Sequence, residues 1–546
     1  GLALAFSLGS IGAALTIWGA ALTLGLVGAG AFVLTELFGM PVPGAFFFVF
    51  ACAVATGMPG APAVILTRAG LLLLGGIPAW LLAMAGWLWD PHGPEQAVVA
   101  GAFRALAALL AAVGTDPFHS AQHQATLALR AAERALPPDA VRWRRPSDYA
   151  RLRHLTVQAE ALFLAIVERG ATRRDPTDPA LPALLRALAD AVADPDRAAC
   201  LVIPPSAEPE SLLTERLRLA VAIAAALAEP AAAVAPVPQR ESLGSRLAGV
   251  LDKRSAVVPR ALRVGLMLVL SHLIAYGVGA HTPYWVSVSC MAVMMGITAV
   301  TTLRRSLQRV VGTIGGALLG LLLLHLQPSG LALVLLLMGL QFLTEWVILL
   351  NYAFAITFAT PLAFMMAEVG HPGLSAQYLV STRLFDICLG SALGLAGTLL
   401  LRRRPSNRRL LVVLGDALHL AAAVTRAPGS QHRLPLRRAL ITLRIVYDDL
   451  LREGVAVEDL WPAVVAVQRV GYLLLALSDQ GRLSAESQVQ VAALLADYAD
   501  GITAPEQLHP MQAPQVPEYP ALGEAVRALG EGLAWQERGS KLEPQR

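Results

Sequence analysis

The apolar run that decides the fold starts at Arg309 and reads RVVGTIGGALLGLLLL through Leu324. A helix needs about 20 apolar residues to cross the ~30 Å hydrocarbon core of a bilayer. Comparable runs lie on both sides of this one, so residues 256–402 are predicted to be one transmembrane bundle of about six crossings. The predicted crossings are 257–278, 284–302, 309–325, 331–349, 351–367 and 377–401.

A second apolar block, residues 1–90, predicts four further crossings, at 2–18, 20–36, 44–58 and 63–88. The chain of 546 residues is 55% hydrophobic and only 15% charged, against about 25% charged for an ordinary soluble domain. This composition excludes a purely cytosolic enzyme. It predicts an all-α polytopic membrane protein that is surrounded by the lipid bilayer.

The basic residues of the second block fall on one side of the predicted membrane. The opposite loops, 279–283, 325–330 and 368–377, contain no Lys or Arg. The positive-inside rule therefore places the basic side in the cytoplasm of a bacterial inner membrane. The basic residues are Lys253, Arg254, Arg260, Arg263, Arg304, Arg305, Arg309 and those at 402–404.

The two apolar blocks resemble each other in sequence. Residues 9–15 match 312–318, and the Leu-Thr-Glu that ends at Glu36 matches the one that ends at Glu345. A Thr-Arg pair followed seven residues later by Gly also occurs in both blocks. We therefore predict a duplication in which the first copy lacks its first two crossings. The Arg and Gly residues of this last match are Arg68 with Gly75 in the first block and Arg383 with Gly390 in the second.

Each apolar block is followed by a polar stretch with helical periodicity. Five amphipathic segments between 97 and 228 recur in the same order between 409 and 537. We predict two parallel repeats, each a transmembrane bundle followed by a cytosolic helical domain, related by an axis along the membrane normal. The predicted soluble domains are 91–240, with a linker to about 255, and 403–546. The Ala- and Pro-rich run 229–240 is the likeliest linker segment.

Several motifs of the second block together identify a family. They are Tyr284-Trp285 at the start of a crossing, the pair Arg304-Arg305, the run from Arg309 to Ala317 with Gly312, Thr313, Gly315 and Gly316, and a last span with Arg383, Asp386 and Gly390. This pattern resembles the fusaric acid resistance and aromatic acid exporter (FUSC) family of membrane transporters. The resemblance implies export of aromatic or other organic anions driven by the proton motive force, in some members with a periplasmic adaptor protein.

Ionisable residues inside a span are costly and often functional. Arg383 and Asp386 share one helix face, so they either form a structural ion pair or act in transport. In the second case Arg383 receives a substrate carboxylate and Asp386 takes a proton. Arg68 has Leu71 where Asp386 would be expected, so its partner is either an anion, a backbone carbonyl or an acid such as Glu36.

Two further motifs have both a functional and a structural interpretation. Arg309 to Thr313 is expected where a cytoplasmic turn enters a span, so it is either an anion site at a helix N-terminus or a basic anchor. Gly312, Gly315, Gly316 and Gly390 are predicted to pack against neighbouring helices. Tyr284-Trp285 is either an interfacial aromatic belt or a platform on which an aromatic substrate stacks.

No sequence motif indicates an enzyme, a cofactor or a metal. Neither lysine, Lys253 or Lys541, is followed by the Ser or Thr of a Walker A loop, and no zinc-protease, serine-hydrolase or dinucleotide motif is found. A net charge of +4 gives no reason to expect nucleic acid as a partner. Homo-oligomerisation is compatible with the sequence. A non-transporting membrane scaffold and a passive anion channel are the alternatives to an exporter.

Overall fold

A computed structural model shows a chain built of helices. It describes residues 1–40, 44–136, 146–172, 175, 177–204, 212–225, 244, 247, 250, 257–296, 299–348, 350–370, 375–400, 407–427, 430–452, 455–478, 483–503 and 516–540. Every element with a regular backbone in these ranges is a helix. The all-α prediction is therefore confirmed. The predicted linker near 229–240 and the basic residues Lys253, Arg254 and 402–404 lie outside the described residues.

The chain divides into two compact units, each of which combines two separate stretches of sequence. The first unit contains residues 1–83 and 241–404, and the second contains residues 84–240 and 405–546. The helices of the first unit are α1 (Leu2–Leu15), α2 (Ile17–Phe38), α3 (Gly44–Thr56), α4 (Pro62–Trp89, which runs on into the second unit), α11 (Val257–Gly277), α12 (Pro283–Met294), α13 (Ala299–His325), α14 (Gly330–Ile348), α15 (Tyr352–Gly370) and α16 (Ala376–Leu400).

The helices of the second unit are amphipathic and surround one core. They are α5 (Gly93–Ala111), α6 (Phe118–Ala135), α7 (Pro146–Thr172), α8 (Ala180–Ala191), α9 (Pro195–Ala199), α10 (Leu212–Ala224), α17 (Asn407–Arg426), α18 (Ser430–Arg452), α19 (Trp461–Ser478), α20 (Ala485–Thr503) and α21 (Pro520–Ser540). Phe163 of α7 and Tyr472 of α19 meet edge to face, with ring centroids 5.1 Å apart, so both halves of the sequence contribute to this core.

Eight of the described helices are long and apolar enough to cross a membrane. Six of them, α2, α4, α11, α13, α14 and α16, lie in the first unit. The other two, at Gly93–Ala111 and Glu458–Leu477, belong to the second unit, where many of their side chains are buried in its core. Length and composition therefore do not by themselves separate a membrane span from a buried core helix.

The second predicted crossing, 284–302, is wrong in its bounds. Helix α12 ends at Met294 after 12 residues, which is about 18 Å at 1.5 Å per residue. Helix α13 then begins at Ala299 and runs for 27 residues. Arg304 and Arg305 consequently lie inside α13 and not between two spans.

Glycines bring the helices of the first unit close together. A Cβ on Gly312 of α13 would meet the carbonyl oxygen of Ala353 on α15, and a Cβ on Gly316 would lie 2.7 Å from Cβ of Thr360. In α1, a Cβ on Gly9 would likewise meet the carbonyl oxygen of Cys52 on α3. The same approach thus occurs at matched positions of the two blocks, while the duplication itself stays a prediction.

A buried arginine joins the two halves of the second unit. Arg437 of α18 donates through Nη1 to Glu133 of α6 at 2.5 Å and to Glu160 of α7. Burial raises the pKa of Glu160, the Arg437 guanidinium opposes this shift, and the neighbouring Glu133 adds to it. The net direction is upward, because burial and the second carboxylate outweigh the pull of the shared guanidinium.

Candidate functional site

The candidate site lies where α12 and α16 pack against each other in the first unit. A Cβ on Gly390 of α16 would lie 2.6 Å from Cβ of Ser289 and would also meet the carbonyl oxygen of Val286. Only glycine permits this approach, because any Cβ would overlap α12. Gly390 therefore brings the polar side chains one and two turns before it on α16 up to the start of α12.

Arg383 of α16 stacks on an aromatic ring of α12. Its guanidinium carbon is 3.5 Å from the centroid of the Trp285 ring, within the range of a cation–π interaction. Its Nε is buried and has no hydrogen-bond partner among the described residues. The guanidinium therefore retains an unused donor beside an aromatic surface.

Asp386 lies on the same face of α16 but has a different partner. Its side chain is fully buried, and its Oδ2 accepts a hydrogen bond from the hydroxyl of Thr282, the residue that precedes α12. Its Oδ1 has no hydrogen-bond partner in the described part of the chain. Within those ranges no ion pair joins Arg383 to Asp386, although the two charges attract each other.

Trp285, on which the Arg383 guanidinium stacks, belongs to a cluster of aromatic rings. Trp285 contacts Tyr284 at a centroid distance of 5.6 Å and Phe50 of α3 at 5.8 Å. His281 and Tyr378 form a second ring pair, 5.4 Å apart. Both Tyr284 and Trp285 are half-buried, so these rings pack inside the unit as well as reaching its surface.

Arg309 of α13 makes hydrogen bonds to two neighbouring helices. Its Nη1 donates to the Tyr352 hydroxyl at 2.8 Å, and its Nη2 donates to Ser289 Oγ at 3.2 Å. Thr313 donates its hydroxyl to the Arg309 carbonyl at 2.8 Å. Because α13 begins at Ala299, Arg309 lies in the third turn. Of the two interpretations of this motif, the anion site at a helix N-terminus therefore does not fit the structure.

Arg68 of α4 does not join this cluster in any described contact. Its Nη1 donates to the carbonyl oxygen of Met58, just after α3, at 2.7 Å. Of the partners considered from sequence, the structure thus shows the backbone carbonyl. Gly75, the counterpart of Gly390, would meet nothing within 4 Å if it carried a Cβ. The two matched positions are consequently packed differently.

The sequence interpretation missed Thr282, Ser289 and Tyr352. Ser289 could have been found from its spacing, because it follows Trp285 by four residues and shares its helix face. Thr282 precedes Pro283, a residue typical of the first helical position, so its sequence position is that of a helix cap and carries no sign of a contact with Asp386. Tyr352 carried no signal, because its contact with Arg309 depends on the packing of α13 on α15.

Comparison with known proteins agrees with the membrane architecture. The model of the fusaric acid resistance protein-like family matches residues 267–397. A relative from Bacillus subtilis (strain 168), named uncharacterized membrane protein YvaC, is 34% identical over 460 residues, which cover 82% of this chain and 72% of the relative. No solved structure matches the chain significantly.

Proposed function

The chain belongs to the fusaric acid resistance protein-like family of multi-pass membrane proteins, and from this premise we propose that it exports small organic anions, in particular aromatic carboxylic acids. Export is driven by the proton motive force. The protein acts in the bacterial inner membrane with its second unit in the cytoplasm.

One observation carries the proposal, namely the position of the Arg383 guanidinium on the Trp285 ring at 3.5 Å. A cation inside a transmembrane bundle costs at least about 2.5 kcal/mol on insertion scales, and no described carboxylate forms an ion pair with this one. A carboxylate ligand supplies the missing charge through short, charge-assisted hydrogen bonds. The Trp285 ring, with its neighbours Tyr284 and Phe50, offers an aromatic ligand edge-to-face or offset contacts.

Asp386 supplies the coupling to protons in this scheme. It lies one helical turn from Arg383 and has one carboxylate oxygen without a hydrogen-bond partner in the described ranges. When Asp386 is charged, it competes with the substrate carboxylate for Arg383 and favours release. When it is protonated, that competition disappears and the site rebinds an anion. Protonation of Asp386 and binding of the anion are thus linked at this site.

The test is an accumulation assay with intact cells that express the protein, using labelled 4-hydroxybenzoate. Expressing cells are expected to accumulate at least tenfold less label than cells that carry an empty vector. An uncoupler and the substitution Arg383→Gln should each abolish the difference. A difference that persists with the uncoupler would indicate a passive channel. Equal accumulation in both cell types, with the protein present in the membrane, would indicate a scaffold.

A further inference from the structure

Arg309 and Arg383 contact adjacent turns of the same helix face. Ser289 follows Trp285 by four residues on α12, so their side chains lie on one face about 6 Å apart along the axis. Arg383 stacks on Trp285, and Arg309 donates to Ser289 Oγ at 3.2 Å. The cation at the candidate site therefore has a second cation one turn further along α12.

The second cation, Arg309, has only neutral hydrogen-bond partners among the described residues. Arg309 is 5% exposed, and its hydrogen bonds go to the hydroxyls of Tyr352 and Ser289. Its Nε is buried without a partner in the described part of the chain, and its charge repels that of Arg383. Two like charges in one apolar bundle are costly, and an anion near them lowers the electrostatic energy of both.

The arginines of α13 become more buried along the helix. Arg304 is exposed, and Arg305 is half-buried with its guanidinium carbon 5.1 Å from the centroid of the Tyr352 ring. Arg309 follows one turn later, contacts the hydroxyl of the same tyrosine, and is buried. Tyr352 is thus shared by two successive arginines, and the positive charge extends from the surface of α13 towards Arg383.

We propose that Arg309, held by Ser289 and Tyr352, forms a second anion-binding position from which the carboxylate of the exported anion passes to Arg383. The inference rests on the proposed function, because it assumes that an organic anion reaches Arg383. It adds that the protein loads its substrate in two steps and holds two anions per chain at saturation. Repulsion between the bound anions makes the second one bind more weakly than the first.

The test is the number of benzoate molecules bound per chain, measured by equilibrium dialysis of the intact purified protein in detergent with labelled benzoate. The wild-type protein should bind two, and Arg309→Gln and Arg383→Gln should each bind one. Ser287→Ala is the matched control, because Ser287 lies on α12 two residues from Ser289 and contacts Ser271 instead, at 3.2 Å. It should bind two.

Arg309→Lys keeps the charge and provides a second readout if Arg309→Gln does not fold. It should bind two benzoates, with at least threefold weaker affinity at one site, because an ammonium cannot reproduce the planar fork of a guanidinium. One benzoate on the wild type, unchanged in the Arg309 variants, would overturn the second position while leaving an Arg383-dependent exporter intact. No bound benzoate, together with no export from cells, would overturn the proposed function as well.

Discussion

Arg383 places its guanidinium on the indole ring of Trp285 at 3.5 Å, while Asp386, one turn away on the same helix, accepts a hydrogen bond from Thr282. The two charged residues of α16 thus have separate partners on α12. A closed ion pair would leave little reason for a ligand to bind. The separated arrangement keeps one guanidinium donor and one carboxylate oxygen unused among the described residues, as a site that binds both an anion and a proton requires.

Asp386→Asn should preserve folding and slow energised efflux at least tenfold. The amide oxygen still accepts the Thr282 hydrogen bond, but the side chain neither carries a charge nor takes a proton. The measurement is efflux normalised to membrane-inserted protein for Asp386→Asn, Arg383→Gln and the double variant. In a purely structural buried pair, losing one partner costs about 3–5 kcal/mol, and the inserted amount would fall instead. Normal efflux in both single variants would eliminate a transport role.

Trp285→Ala should reduce efflux about tenfold or more, because a desolvated cation–π contact contributes about 2 kcal/mol. Trp285→Phe keeps an aromatic face and should have a smaller effect. Initial efflux rates per inserted protein provide the comparison. Trp346→Ala serves as the control, since Trp346 of α14 is 61% exposed and touches none of these residues in a described contact. Equal rates for the two alanine variants would contradict a role for the indole ring.

Gly390→Ala should lower the amount of folded protein, whereas Gly75→Ala should not. A Cβ at Gly390 would lie 2.6 Å from Cβ of Ser289, and a Cβ at Gly75 would meet nothing within 4 Å. Overpacking costs about 1–3 kcal/mol, while alanine at an open helical position gains up to about 1 kcal/mol. Thermal unfolding of the detergent-solubilised variants measures both effects. Similar shifts at the two positions would mean that α16 does not approach α12 as described.

Glu160→Gln should flatten the pH dependence of the stability of the second unit. The folded pKa of Glu160 is raised, so the folded state binds a proton more tightly than the unfolded state. Its contribution is fully present below the unfolded pKa and is lost as the pH rises through the folded pKa. Unfolding of the full-length chain between pH 4 and pH 8 tests this, with the exposed Glu215→Gln as control. An unchanged pH slope in Glu160→Gln would refute the prediction.

Both stretches of the second unit should lie in the cytoplasm. By the spans predicted from the sequence, the basic residues that flank them fall on one side, and the chain is expected to enter the second unit from that side in both blocks. Fusions to a periplasmic reporter near residues 180 and 470 provide the measurement, with a fusion in the loop near residue 328 as the positive control. Reporter activity at either of the first two positions would contradict this topology.

The sequence by itself determined the membrane class, the all-α fold and most helix positions. Apolar runs of about 20 residues and a 3.6-residue periodicity are local properties, because each helix satisfies its own backbone hydrogen bonds. The ten predicted segments of the apolar blocks coincide with helices within a few residues, except near α12. There the apolar run continues through residues 295–298 and conceals the boundary, although Gly296 and Thr298 are residue types that often end and begin helices.

The tertiary structure decided which side chains meet. Sequence spacing placed Arg383 and Asp386 on one helix face, and an ion pair between them was one interpretation. In the structure Arg383 instead contacts Trp285, and Asp386 accepts a hydrogen bond from Thr282. The packing of α13 on α15 likewise brings Tyr352 to Arg309. The packing of α16 on α12 places Gly390 in contact with α12, whereas a Cβ on Gly75 would have no neighbour within 4 Å. Which residues on different helices meet depends on how closely the helices approach and how each is rotated about its axis. Many residues together determine this packing, and no single motif encodes it.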